Sequence, residues 1–224
     1  MSKINMATQP LDYECSEAFK TLRTNLQFCG SDKKAIVFTS CTPDEGKSAV
    51  ILRLAASLAE AGKRVLLVDA DLRKSVMAGN FTIPQPVKGL THYLAGQAEK
   101  MEVICNTENE NFDVILAGPV PPNPAELLGE EQFKSLLEWG REQYDYVLID
   151  SAPLGSVIDS AIIADKCDGA VIVVEAEVIS YRFVQEIREQ LEKSNCQVLG
   201  IILNKVDIRE QKYYYNRYYG RKYG

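Results

Sequence analysis

The chain has 224 residues, 46% of them hydrophobic and 25% charged, with a net charge of −6. This is the composition of one globular domain that can bury a core without disulfides or a structural metal, and its acidity argues against general nucleic-acid binding. The charge is uneven: residues 209–224 carry five Lys/Arg against one Glu, a net +4, which leaves −10 on the body.

Six cysteines (Cys15, Cys29, Cys41, Cys105, Cys167 and Cys196) form no CxxC pair, and His92 is the single histidine. A zinc site is therefore not expected. Met1 to Gln9 lacks the apolar run of a signal peptide. No apolar segment reaches the ~18 residues of a membrane span. A cytoplasmic chain is expected, with any membrane association made through a partner.

Residues 12–29 read as an amphipathic helix. Phe19, Leu22, Leu26 and Phe28 are its apolar members, and Gly30 and Ser31 end it. Apolar, β-rich runs follow at 35–39, 64–69, 112–117, 145–150, 169–174 and 197–203, with helical patterns at 47–61, 124–142, 156–166 and 179–193. Continuous hydrophobic strands alternating with helices predict a doubly wound, mostly parallel α/β sandwich with ligands beyond the carboxyl ends of the strands. Residues 76–101 read as a loop with a short helix at 89–95. From residue 209 the chain is polar, basic and without apolar periodicity, a segment expected to be disordered on its own. The expected organisation is a domain over 1–208 and a tail over 209–224.

Four stretches carry chemistry. Ser40-Cys41-Thr42-Pro43-Asp44-Glu45-Gly46-Lys47-Ser48 follows a strand and opens a helix, the setting of a phosphate-binding loop. Asp44, Glu45, Gly46, Lys47, Ser48 and Ala49 form the expected nucleotide contact, with Lys47 on the β- and γ-phosphates and the Ser48 hydroxyl on Mg²⁺. Cys41 stands where the general pattern has glycine, and the two carboxylates are tolerable only if they turn away from a polyanion. Leu66-Leu67-Val68-Asp69-Ala70-Asp71-Leu72-Arg73 sends two acids off a strand end, Asp69 and Asp71, suited to holding Mg²⁺ or accepting a proton. While the chain stays extended they point the same way. Val147-Leu148-Ile149-Asp150-Ser151-Ala152-Pro153 has the form of a Walker B strand, with Asp150 supporting Mg²⁺. The fourth is the tail, where Tyr213, Tyr214, Tyr215, Tyr218, Tyr219 and Tyr223 account for six of eleven tyrosines.

With these motifs in place, the chain resembles the bacterial tyrosine kinases of capsular and exopolysaccharide synthesis, of the CpsD/CapB type. The resemblance covers essentially the whole chain, including Pro-Pro-Asn-Pro-Ala-Glu-Leu-Leu at 121–128. It implies a P-loop NTPase fold like that of MinD and ParA, ATP and Mg²⁺ as cofactors, and protein-tyrosine kinase activity. Lys47 would bind phosphate, Ser48 and Asp150 would hold magnesium, and Asp69 would act as base or magnesium contact with Asp71 beside it. Glu17, Lys20 and Arg23 resemble the family's Glu-x-x-Arg-x-x-Arg oligomerisation motif, with Lys20 where the first Arg is expected; lysine lacks the planar fork of arginine. The family further implies a homo-oligomeric ring whose subunits exchange tails, a transmembrane adaptor that holds the kinase at the inner face of the membrane, and a tyrosine phosphatase. In related P-loop ATPases an asparagine at the place of Asn204 contacts adenine.

Three other readings stay open on residues alone. Asn204-Lys205-Val206-Asp207 matches the guanine-recognition pattern of GTPases, although Asp150 is followed by Ser-Ala-Pro rather than by the Asp-x-x-Gly of a GTPase switch. A partitioning ATPase would carry lysine at position 42, which is Thr42 here. A nucleotide-bound scaffold phosphorylated by another kinase is the third.

Overall fold

The computed structural model describes residues 2–7 and 11–206. Asp207 and the tail tyrosines lie outside the described residues. In chain order the elements are strands β1 (Ser2–Lys3) and β2 (Asn5–Met6), helix α1 (Tyr13–Phe28), β3 (Ala35–Ser40), α2 (Lys47–Glu60), β4 (Val65–Asp69), β5 (Phe81–Thr82), α3 (Leu90–Leu94), α4 (Lys100–Val103), β6 (Ile104–Asn106), β7 (Phe112–Ile115), α5 (Pro124–Gly129), α6 (Glu131–Gln143), β8 (Tyr146–Asp150), α7 (Asp159–Ala164), β9 (Gly169–Glu175), α8 (Tyr181–Lys193) and β10 (Val198–Asn204).

One sheet runs in the order β1-β6-β7-β4-β8-β3-β9-β10, and β2 with β5 forms a small second sheet. Pairing in the large sheet is parallel except between β6 and β7, which are antiparallel. The expected mostly parallel doubly wound sandwich is therefore present. Its strands are buried on both faces because alternate side chains feed two cores. Ile36, Phe38, Val65 and Leu67 pack under α2, whereas Ala35, Val37, Leu66 and Val68 pack with Leu136 and Leu137 of α6 and Ile187 of α8.

The chain steps outward from β3 to β4 and β7, returns to insert β8 between β4 and β3, and then crosses to β9 on the other side. That reversal brings the carboxyl ends of β4, β8 and β3 side by side, where such sheets open a ligand crevice.

Several boundaries differ from those the periodicity predicts. The helix expected at 124–142 is two helices, because Glu130 takes an extended conformation (φ −71°, ψ 160°) between α5 and α6. The pattern at 156–166 yields only α7, since residues 154–156 form a turn. The region 76–101 holds a 3₁₀ turn, Met77–Asn80, and β5 besides α3. The helix expected at 12–29 is α1, started by Asp12, whose carboxylate accepts from the Cys15 N–H at 2.7 Å.

Candidate active site

The loop between β3 and α2 wraps the helix N-terminus. Gly46 caps α2 with φ +83°, a conformation side chains disfavour. A Cβ there would also sit 2.3 Å from Asn204 Nδ2, so the glycine is required twice over. Cys41 occupies the shoulder of the loop fully buried, and burial pushes its thiol up to about 12. It packs as a small apolar group and stays protonated. The turn after β8 comes so close to it that a Cβ on Gly155 would lie 2.1 Å from the Cys41 carbonyl oxygen.

The two acids of the loop separate. Glu45 is buried with 2% exposure, and its carboxylate accepts from the Thr42 N–H, from Thr42 Oγ1 at 3.1 Å and from the Glu175 N–H at 2.9 Å. It is therefore spent on holding the loop together and turned to its own backbone and β9. Asp44 is exposed with a left-handed backbone, φ 66°.

Lys47 is buried, and its ammonium is bonded to the Asp150 carboxylate, itself 1% exposed. Ser48 Oγ lies 3.5 Å from the same ammonium. Asp69 and Asp150 are register partners on the adjacent strands β4 and β8. The phosphate loop, Asp150 and Asp69 thus meet at three neighbouring strand ends, as their positions in the motifs lead one to expect.

Asp69 is fully buried. Its Oδ2 accepts from Ser75 Oγ and from the Ala117 N–H at 3.3 Å, while Oδ1 has no hydrogen-bond partner. Burial first, and the nearby Asp150 carboxylate second, push its carboxyl up to about 7. Asp71 does not stay in line with it. The strand stops at Asp69, and Asp71 closes a turn by accepting from the N–H groups of Arg73 at 3.2 Å and Lys74 at 3.0 Å. A cavity of about 540 Å³ opens here, lined among others by Gly46, Lys47, Ser48, Asp71, Arg73 and Val157. Asp71 borders that space, whereas Asp69 lies behind it.

Sequence reasoning missed the supports. Thr39, Ser151 and Ser160 form a buried hydroxyl cluster: Ser151 Oγ donates to the Phe38 carbonyl at 2.7 Å and meets Ser160 Oγ at 2.8 Å, and the Leu154 N–H donates to Thr39 Oγ1 at 3.1 Å. It locks the turn after Asp150 onto β3. Arg73 clasps Asp159, which is fully buried at the start of α7, with two bonds of 2.7 and 2.9 Å, so the turn carrying Asp71 is tied to α7. No spacing rule marks Ser160 or Asp159. Arg73, at the end of the second motif, was visible as a residue but not as a clamp.

Two other groups of expected site residues lie as follows. Asn204 donates its side-chain amide to the Glu45 carbonyl at 2.9 Å. Glu17 and Lys20 pair with each other at 2.7 Å on the exposed face of α1, and Arg23 donates to the Ser57 carbonyl of α2 at 2.8 Å.

A phosphate loop, a Walker B carboxylate and a second acidic strand end around one crevice define an NTP-using P-loop enzyme. Residues 33–201 match the family model described as AAA domain. The chain is 44% identical over 206 residues to "Tyrosine-protein kinase CpsD" of Streptococcus agalactiae, covering 92% of this chain and 88% of that protein. It superposes on the kinase domain of the Escherichia coli tyrosine kinase ETK with TM-score 0.81 and 36% identity, over 85% of this chain and 75% of that one. MinD of Pyrococcus horikoshii, solved with Mg-ADP, shares the fold at TM-score 0.65 and 24% identity, over 76% and 69% of the two chains. The chain belongs to the CpsD-type bacterial tyrosine-protein kinases. It is an ATP-using P-loop kinase.

Proposed function

We propose that this kinase phosphorylates the tyrosines of its own C-terminal tail between copies, under the control of a transmembrane adaptor, and that it thereby regulates capsular or exopolysaccharide synthesis. The observation that carries the reading is the meeting of Lys47, Asp150 and Asp69 at one crevice, in a chain with six tyrosines in its last twelve residues. The Lys47–Asp150 pair opens when triphosphate arrives. Lys47 then turns to the β- and γ-phosphates, where a fixed cation offsets the charge that develops during transfer.

The donors freed there are hard oxygens, and Asp69 Oδ1 is a buried acceptor without a partner, which suits a magnesium ion. Ser48 and Asp150 would hold it, with Asp69 behind; bound there, it supplies neutralisation of the phosphate oxygens. Among the described residues no group of three or more His, Cys, Asp or Glu forms a metal cage; a magnesium ion held by Ser48 and Asp150 would take its other oxygens from nucleotide and water. A phenol has a pKa near ~10 and needs a proton acceptor at neutral pH. Asp71 borders the cavity and has one carboxylate oxygen uncommitted to its turn, which supports assigning it the role of proton acceptor, with Asp69 supporting the ion.

No described helix is long and apolar enough to cross a membrane, in keeping with a cytoplasmic kinase held at the membrane by its adaptor. Arg23 is engaged with α2, which leaves Glu17 and Lys20 as the exposed members of the expected contact.

Transfer between copies is tested by mixing a Lys47→Met chain, which keeps its tyrosines, with a chain whose six tail tyrosines are phenylalanine. With Mg·ATP, phosphotyrosine should appear on the tail of the Lys47→Met chain. Its absence, when wild-type protein modifies itself under the same conditions, would rule out exchange between copies.

A further inference from the structure

Four non-glycine residues among those described have left-handed backbones, and three of them, Asp44, Glu177 and Lys205 (φ 66°, 64° and 57°), follow the carboxyl ends of the neighbouring strands β3, β9 and β10. Such a conformation is sterically disfavoured for a residue with a Cβ and persists only where the surroundings over-determine it. The surroundings here are a set of bonds that the catalytic reading leaves unused. Lys205 Nζ donates to the Asp44 carbonyl at 2.8 Å and pairs with Glu175 Oε2 at 2.7 Å. The Asn204 amide donates to the Glu45 carbonyl at 2.9 Å, and the Asn204 carbonyl accepts from the Ala176 N–H at 2.9 Å. Glu175 in turn gives its N–H to the Glu45 carboxylate.

Two consecutive carbonyls of the phosphate loop, those of Asp44 and Glu45, are thus drawn outward to the end of β10. A trans peptide carries its N–H on the side opposite its C=O, and no described peptide is cis. Turning the Asp44 carbonyl outward therefore turns the Glu45 N–H inward, and turning the Glu45 carbonyl outward does the same for the Gly46 N–H. Inward-facing N–H groups at a helix N-terminus are what a polyphosphate binds.

We propose that Lys205, together with Asn204, is a positioning pair that aims the Glu45 and Gly46 N–H groups at the nucleotide phosphates. Lys205 touches neither nucleotide nor reacting atoms; it acts through the Asp44 carbonyl, with Glu175 holding its ammonium in place. The Asn-Lys dipeptide that reads in sequence as a base-recognition motif is used here on the phosphate loop. It lies four residues ahead of the tyrosine-bearing segment.

The test uses the full chain with Lys205→Met, Lys205→Arg and Glu175→Gln. A fluorescent ADP analogue is titrated at a temperature where circular dichroism shows each nucleotide-free variant folded. Losing a hydrogen bond from a charged donor should weaken binding about tenfold in Lys205→Met, with KM for ATP raised and kcat held within about twofold. Lys205→Arg, which keeps a cationic donor, should recover most of the affinity, and Glu175→Gln should lose less than Lys205→Met. If Lys205→Met does not fold, the other two variants carry the test. Affinity within twofold of wild type in Lys205→Met, an arginine variant as weak as the methionine one, or a fall in kcat with KM unchanged would overturn the proposal.

Discussion

Asp69 keeps its proton to about neutral pH because the protein buries it beside Asp150. The ordinary carboxylate value is 3.8 and the folded value about 7. Within that window the unfolded chain releases the proton and the folded chain retains it, so the nucleotide-free protein loses stability as pH rises from about 4 to about 7. Asp69→Asn should remove that slope and make the nucleotide-free protein more stable at neutral pH, as followed by urea unfolding at several pH values, while lowering phosphorylation. Asp71→Asn should lower kcat by at least about a hundredfold with little change in nucleotide affinity, measured by steady-state assay of tail phosphorylation. The convergence of Lys47, Asp150 and Asp69 was legible because Asp69 and Asp150 end hydrophobic runs, Lys47 opens the helix that follows a third, and a parallel sheet collects such ends. The different placing of Asp69 and Asp71 was not legible. Alternation in an extended strand puts both on one side, but β4 stops at Asp69 and a turn takes Asp71 to the cavity. The engagement of Asn204 with the Glu45 carbonyl was equally hidden, since it joins residues 159 positions apart.

At the level of elements, the hydrophobic runs predicted the long strands well, because buried parallel strands show few polar breaks. The strands β1, β2, β5 and β6 have two or three residues each. Nothing in so short a stretch marks it as a strand; its pairing with a remote segment does. Helix packing offers two measurements. Gly140 of α6 lies against β8, where an added Cβ would come within 2.8 Å of Val147 Cγ2. Gly140→Ala should destabilise the domain by about 1–3 kcal/mol through overpacking, read from denaturant unfolding. Arg23 ties α1 to α2 through the Ser57 carbonyl, and Arg23→Ala should cost about 1–2 kcal/mol for the lost bond from a charged donor. If Arg23 serves only a contact between subunits, the variant would instead leave the unfolding midpoint of the monomer unchanged.

Over the whole molecule, the charge asymmetry links chemistry to assembly. The tail carries +4 against a body of −10, which favours one copy's tail approaching another copy's acidic surface. Each phosphate adds about −1.5 to −2 at neutral pH, so six of them contribute roughly −9 to −12 and reverse the sign of the tail. Sedimentation at low salt should show the assembly shrinking after Mg·ATP treatment, and the difference should fade as salt screens the charges. The fold and the family motifs could be read across the whole chain, because they depend on patterns that repeat along it. The braces around the phosphate loop could not, because they depend on which loops the topology brings together.

The most direct measurement is the intact mass of the purified full-length protein before and after incubation with Mg·ATP, beside a Lys47→Met control. The account predicts a ladder of added phosphates mapping to Tyr213, Tyr214, Tyr215, Tyr218, Tyr219 and Tyr223, and no addition in the control. Phosphate appearing equally in the Lys47→Met chain, or none appearing on the wild-type tail, would contradict it.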